Sequence, residues 1–203
     1  LGVDLLSMSA HKIYGPKGVG ILYARKDTPI KHIQEGGDQE YKMRAGTHNV
    51  TGIVGLGKAI EILAKSKEKD TRRILALRNY LIKRVLNEIP KAKLNGSRIK
   101  RSPNNANFSF YDVEGEGLLI SLDMEGIACS TGSACSSGAL TPSHVLLSIG
   151  LKPEEAHGSL RMTLGKYTTK KEISTAVATL KSVISRLRKI SGHVLADYYN
   201  KPR

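Results

Sequence analysis

VDLLSMSAHKIYGPKGVGILYA, residues 3–24, is the stretch on which the reading of the fold turns. Two short apolar runs, 3–8 and 19–24, flank a glycine-bearing connection, the pattern of two strands joined by a compact turn. Lys12 sits in that connection, just past the first strand, beside His11 and ahead of the rigid Gly15-Pro16 step. An amine at the end of a buried strand is expected to be desolvated. Desolvation disfavours the ammonium form, so such a lysine can condense with an aldehyde near neutral pH. Spacing alone does not separate this reading from a solvated loop lysine. The glycines do exclude a nucleotide loop: Gly15, Gly18 and Gly20 have the wrong spacing for a P-loop or dinucleotide fingerprint, and they lead into a strand rather than a helix.

Working outward, a polar loop occupies 31–46, and helical periodicity runs from Gly52 to Lys65 into a basic helix over 71–89. Ile74, Leu77, Leu81, Val85 and Ile89 form the apolar stripe of that helix, Pro90 stops it, and Asn95-Gly96 marks a turn. A domain boundary is expected near Lys65 to Asp70, dividing the chain into 1–66 and 67–203. Beyond it, Asn107 to Val113 alternates like a strand, Gly117 to Met124 reads as a helix, and Ser130 to Gly138 is a Ser/Gly-rich loop around Cys135. Ser143 to Ile149 is a short helix ended by Gly150. Leu160, Met162 and Leu164 alternate as a strand whose other face carries Arg161 and Thr163. Thr169-Lys170-Lys171-Glu172 is a capping box, opening a long helix striped by Ile173, Val177, Leu180, Ile184, Leu187 and Ile190. Strands mixed with helices and no internal repeat give an α/β chain in two lobes.

The 203 residues are 40% hydrophobic, enough for a sizeable core, and no apolar run approaches the ~20 residues needed to cross a bilayer. Two cysteines make neither a disulfide scaffold nor a Cys-x-x-Cys metal pair, so reduced thiols and the cytoplasm or a reducing organelle matrix are expected. The chain opens on Leu1 within an extended segment, with no initiator Met or leader pattern, and is read as a fragment whose natural start lies upstream. Its net charge is +14, and +10 of this comes from residues 65–101, where thirteen Lys or Arg face only Glu68, Asp70 and Glu88. Such a block is either a solvated helix face or a surface for RNA or an acidic protein.

Two further residues invite a chemical reading. Cys135 lies among Ser, Gly, Thr and Ala with little to pack, so its thiol should be exposed and mobile, as a carrier thiol must be; an inert loop cysteine fits the same composition. Arg161, on the polar side of its strand with Ser159 and Thr163, has the planar fork that clamps a carboxylate, although such arginines are commonly just solvated. Cys129, beside Ile127 and Ala128, reads as a small packed residue. His144 and His157 carry no pattern that separates them from surface histidines.

The run from Ser9 to Gly20 resembles the cofactor-lysine segment of NifS/IscS-type cysteine desulfurases, in the class V aminotransferase group. The resemblance continues through Arg44-Ala45-Gly46-Thr47, through residues 130–138 and through residues 159–165, and so covers nearly the whole chain. It implies pyridoxal phosphate (PLP) fold type I, with 1–66 the end of the large cofactor domain and 67–203 the small C-terminal domain, its cysteine loop at about 129–140. Lys12 would be the Schiff-base lysine, Ser9 and His11 would hold the cofactor phosphate, and Thr47 would reach the phosphate of a neighbouring subunit in a homodimer. Arg161 would bind the carboxylate of L-cysteine. Cys135, in a context resembling the long-loop group, would accept the substrate sulfur as a persulfide while alanine leaves. The acceptors implied are an iron-sulfur scaffold or a tRNA-thiolation partner, which makes Cys135 a candidate ligand of a transient iron-sulfur cluster shared with the scaffold. The family's acidic partner for the pyridine nitrogen and its ring-stacking histidine would lie upstream of Leu1, so the fragment alone is expected to be inactive. The alternatives are a selenocysteine lyase or aminotransferase of the same class, for which Cys135 is dispensable, or a basic RNA- or protein-binding adaptor without catalysis. Direct nucleic-acid binding and membrane association are not expected of the desulfurase.

Overall fold

The structure, a computed structural model, describes residues 2–131 and 142–199, with side-chain surroundings for 2–131 and 142–190. Its contacts gather into two units, Leu1–Lys67 and Glu68–Arg203.

In the first unit β1 (Leu5–Ser9) pairs antiparallel with β2 (Gly20–Ala24), in a register running from Leu5 opposite Ala24 to Ser9 opposite Gly20. A 3-10 turn, Ala10–Ile13, leaves β1, and its end is folded back by Tyr14 in the left-handed region at φ 65°. The amide of Ala10 donates to the Val19 carbonyl at 3.1 Å, and that of Gly15 donates to the Ala10 carbonyl at 2.9 Å. Contrary to the burial expected of these strands, Leu5, Leu6, Leu22 and Tyr23 are all exposed. Two strands have no layer of their own to cover them, and an isolated pair buries too little to be stable by itself.

The short α1 (Gln39–Lys42) interrupts the polar loop, and α2 (Val50–Glu88) follows. Asn49 starts α2: its Oδ1 accepts the Gly52 amide at 3.0 Å, satisfying one of the helix's orphan donors. The helix is unbroken through Lys65 to Asp70, the stretch in which the boundary is expected and in which the contacts divide, because no glycine or proline occurs from Lys58 to Glu88.

The second unit is built on an antiparallel sheet of β3 (Ala92–Leu94), β4 (Asn105–Phe110) and β5 (Ser159–Thr163), in that spatial order. Its period of two sorts the side chains. Ala106, Phe108, Phe110, Leu160 and Met162 turn to a core with Leu81, Val85 and Ile89 of α2, Leu118 and Leu122 of α3 (Gly115–Met124), and Ile173, Val177, Leu180 and Ile184 of α6 (Lys170–Tyr199). The alternate residues, Ser109 and Asn107 on β4 and Ser159 and Arg161 on β5, share the opposite, polar face. Thr169 and Glu172 cap α6 reciprocally: the Thr169 amide donates to Glu172 Oε2 at 2.7 Å, and the Glu172 amide donates to Thr169 Oγ1 at 3.2 Å.

Two short helices, α4 (His144–Ser148) and α5 (Pro153–His157), bury Leu146 and Ala156 with Leu151 in a second small cluster. Neither β3 nor α5 is foreseen from periodicity, since three or five residues are too few to show a period. The start of α5 comes instead from Pro153 at its first position and from the Glu155 carboxylate accepting the Lys152 amide at 3.1 Å.

Several of the positive charges of 65–101 serve this fold. The Arg73 guanidinium donates to the carbonyls of Lys166 and Thr168. Arg78, nearly fully buried, donates to the Ser102 carbonyl at 3.0 Å, and Arg101 donates to those of Ser97 and Asn95 at 2.7 and 2.5 Å. Among the described residues no helix is long and apolar enough to cross a membrane.

Candidate active site

The lysine turn is shaped by what it rests on. Ala10 is fully buried, and a Cβ on Gly15 would lie 3.1 Å from the Ala10 Cβ and 3.2 Å from the Ala59 Cβ. A Cβ on Gly55 would fall 2.5 Å from Pro16 Cγ. Two glycines thus let the turn settle on the first turns of α2, and its other side chains project away: His11 and Lys12 are exposed, and Ser9 is half-buried. The hydroxyl of Ser9 makes no cap bond to the turn it precedes. The first unit therefore brings a hydroxyl, an imidazole and a primary amine onto one short exposed segment. An amine for an aldehyde and two donors for a phosphate are the donor set that PLP requires, so these residues fit that cofactor. The desolvation expected for Lys12 is not supplied by the residues of this unit, because the sheet beside it has only two strands.

Thr47 belongs to the same unit and is exposed. Its position follows from Arg44, whose Nη1 donates to the carbonyls of Ala45 and Gly46 at 3.0 and 2.7 Å, and whose Nη2 donates to Glu40 at 3.1 Å. Gly46, at φ 95°, takes a backbone conformation that any side chain would strain.

Arg161 lies in the second unit, half-buried on β5 and directly opposite Asn107 of β4. Its amide donates to the Ser130 carbonyl at 2.6 Å, and the Ser130 amide donates back to the Arg161 carbonyl at 3.2 Å, an isolated bridge. Next to it the buried Ser159 donates its hydroxyl to the Thr131 carbonyl at 3.0 Å. The segment leading into the cysteine loop is therefore fastened to the strand that carries the arginine. Cys135 itself lies outside the described residues, as does any cluster it would ligate; among the described residues no group of three His, Cys, Asp or Glu could hold a metal. Cys129 is half-buried against the core, and burial, with a smaller effect of the Asp123 charge, pushes its thiol up to about 11. That is the state of a packing residue, because the thiolate is the reactive form.

Arg161 also lines an open pocket of about 670 Å³ in this unit, together with Asn95, Asn107, Thr131 and His144. The polar row beside the arginine escaped sequence reading. In sequence Asn107 marks only the start of a strand and Asn95 only a turn; the available signal is that Asn107 falls two residues before Ser109, on the polar side of its strand.

Comparison with known proteins gives these parts a context. The family described as "Aminotransferase class-V" matches residues 1–175. The chain is 55% identical over 191 residues to the cysteine desulfurase IscS of Dictyoglomus turgidum, covering 94% of this chain and 48% of that protein. It is 49% identical over 191 residues to cysteine desulfurase IscS 1 of Archaeoglobus fulgidus, covering 94% of this chain and 50% of that one. A solved NifS-like protein superposes with a TM-score of 0.81 at 35% identity, over 91% of this chain and 47% of the other. The chain thus spans about half the length of the curated relatives it matches.

Proposed function

The chain belongs to the aminotransferase class-V family, and from that premise we propose that it is the C-terminal half of a PLP-dependent cysteine desulfurase. Such an enzyme converts L-cysteine to L-alanine and passes the sulfur, as a persulfide on Cys135, to acceptors in iron-sulfur cluster assembly or tRNA thiolation. The observation that carries this reading is the exposed turn that holds Ser9, His11 and Lys12 together, in a chain 55% identical to a desulfurase over 191 residues.

In this reading residues 1–66 close the large cofactor domain, and residues 67–203 form the small domain. Lys12 would hold the cofactor through its amine, and the same amine would carry the proton at the substrate's Cα. Ser9 and His11 donate to the phosphate, and Thr47 donates to that of a second copy in a homodimer. PLP, when bound, supplies the electron sink for the charge left at Cα. Arg161 holds the substrate's carboxylate through its planar fork. The Cys135 thiolate then attacks the substrate Sγ. The new S–S bond forms as the C–S bond breaks, the bond pair stays with carbon, and protonation there completes alanine.

The test is to express the protein extended to its natural start, add PLP and L-cysteine, quantify alanine and look by mass spectrometry for sulfur on Cys135. Alanine together with a Cys135 persulfide supports the desulfurase. Alanine that survives Cys135→Ser with no persulfide on the parent points to a lyase, and absence of alanine refutes the reading.

A further inference from the structure

A polar row crosses the outer face of the small-domain sheet beside Arg161, and its hydrogen-bond polarity can be deduced atom by atom. The row begins at the Glu155 carbonyl, which can only accept. Ser109 Oγ lies 2.8 Å from it, closer than the 3.2 Å to its other acceptor, Asn95 Oδ1, and gives its single proton there. Ser109 is then an acceptor for Asn95, whose Nδ2 lies 2.9 Å away, and this settles which end of the Asn95 amide is which. The same Nδ2 lies 2.7 Å from Asn107 Oδ1, so that atom of Asn107 is the acceptor. The Asn107 amide therefore shows its NH₂ end away from Asn95, on the face that it shares with Arg161. The two residues are paired in register across β4 and β5, where directly opposed side chains stand about 5 Å apart, and both line the same pocket.

We infer that Asn107 is a second binding residue for the substrate's carboxylate, donating Nδ2–H beside the Arg161 guanidinium, and that Asn95 is a positioning residue that holds the Asn107 amide in that orientation. The inference rests on the desulfurase reading and deepens it. A guanidinium alone attracts any anion; an amide donor fixed at its side adds a directional contact that orients the carboxylate, and with it the Cα proton and Sγ.

Asn107→Asp is the informative variant. It is isosteric and keeps the acceptor for Asn95, so the row stays intact, while it removes the donor and sets a negative charge beside Arg161. In the PLP-loaded protein extended to its natural start, Asn107→Asp and Asn107→Ala should each raise KM for L-cysteine about tenfold or more, with a smaller change in kcat, as expected for a lost charge-assisted bond. Binding of cysteamine, which lacks the carboxylate and is followed by the cofactor's absorbance, should change less than about twofold, since a loss confined to carboxylate ligands is outside what general loosening of the sheet produces. Asn95→Ala should show the same selective loss at smaller size. Equal losses for the two ligands, or none, overturn the inference. Arg161→Ala separates the levels: if it discriminates between the ligands and the Asn107 variants do not, only the inference fails. If Arg161→Ala does not discriminate, or the parent fails to turn over L-cysteine, the desulfurase reading fails and the inference falls with it.

Discussion

Lys12 and Arg161 show how differently one chain can present two candidate site residues. Lys12 is held by what its neighbours lack, the Cβ atoms of Gly15 and Gly55, and it stands exposed on its turn. Replacing it with Ala should abolish both the visible absorbance of bound cofactor and alanine formation in the PLP-loaded protein while leaving the circular dichroism spectrum unchanged. Arg161 is held through its own backbone by Ser130, so its guanidinium alone is at stake in Arg161→Lys. That change replaces a planar fork with a point charge and should raise KM for L-cysteine about ten- to a hundredfold in steady-state assays. Glu155 makes a prediction about pH. The Tyr111 hydroxyl, the Lys93 ammonium and the Lys152 amide all donate to its carboxylate and hold it at about 2, below the ordinary carboxylate range. The folded state therefore binds this proton less readily than the unfolded state. The stability it contributes is complete above about pH 4.5 and is lost as pH falls through about 2. Glu155→Gln should accordingly lower Tm at pH 6, and the gap to the parent protein should close on acidification to pH 2.

At the scale of elements, the long periodic segments are the ones whose sequence foretells them. The Thr169 and Glu172 capping box and the stripe of α6 are visible in the chain and present in the fold, because cap and period are local properties. Thr169→Ala should cost about 1 kcal/mol in urea unfolding. Other elements depend on neighbours far away in sequence. Gly158 precedes β5 because a Cβ there would lie 2.6 Å from the Phe110 carbonyl oxygen and 2.9 Å from that of Val113. Those atoms are backbone and cannot swing aside, so Gly158→Ala should destabilise by about 1–3 kcal/mol. The measurement is the same urea titration, and a loss below a few tenths of a kcal/mol would contradict the packing described. The anchoring of Thr131 by Ser159, 28 residues away, is likewise invisible until β5 is folded against that segment.

On the scale of the whole molecule, the two units differ in how much they bury. The second has a continuous core from Leu81 to Ile184, whereas the first leaves Leu5, Leu6, Leu22 and Tyr23 exposed on a strand pair. Amides of β1 and β2 should therefore exchange with deuterium orders of magnitude faster than those of β4 in the 203-residue chain, and should become protected in the protein extended to its natural start. Equal protection in the shorter chain would refute that account. By itself the sequence determined the two strands around the lysine turn, the helices with caps and stripes, the strand bearing Arg161, and, through a long motif, the family. All of these follow from bonds and periodicities within a few residues along the chain. Only the tertiary structure decided that Lys12 is exposed rather than buried by its own unit, and that several arginines of the basic stretch serve the fold. It alone also aligned Asn95, Asn107 and Arg161 into one polar row. Burial and hydrogen-bond polarity depend on atoms that the chain brings together from distant positions, and local pattern carries no record of those partners.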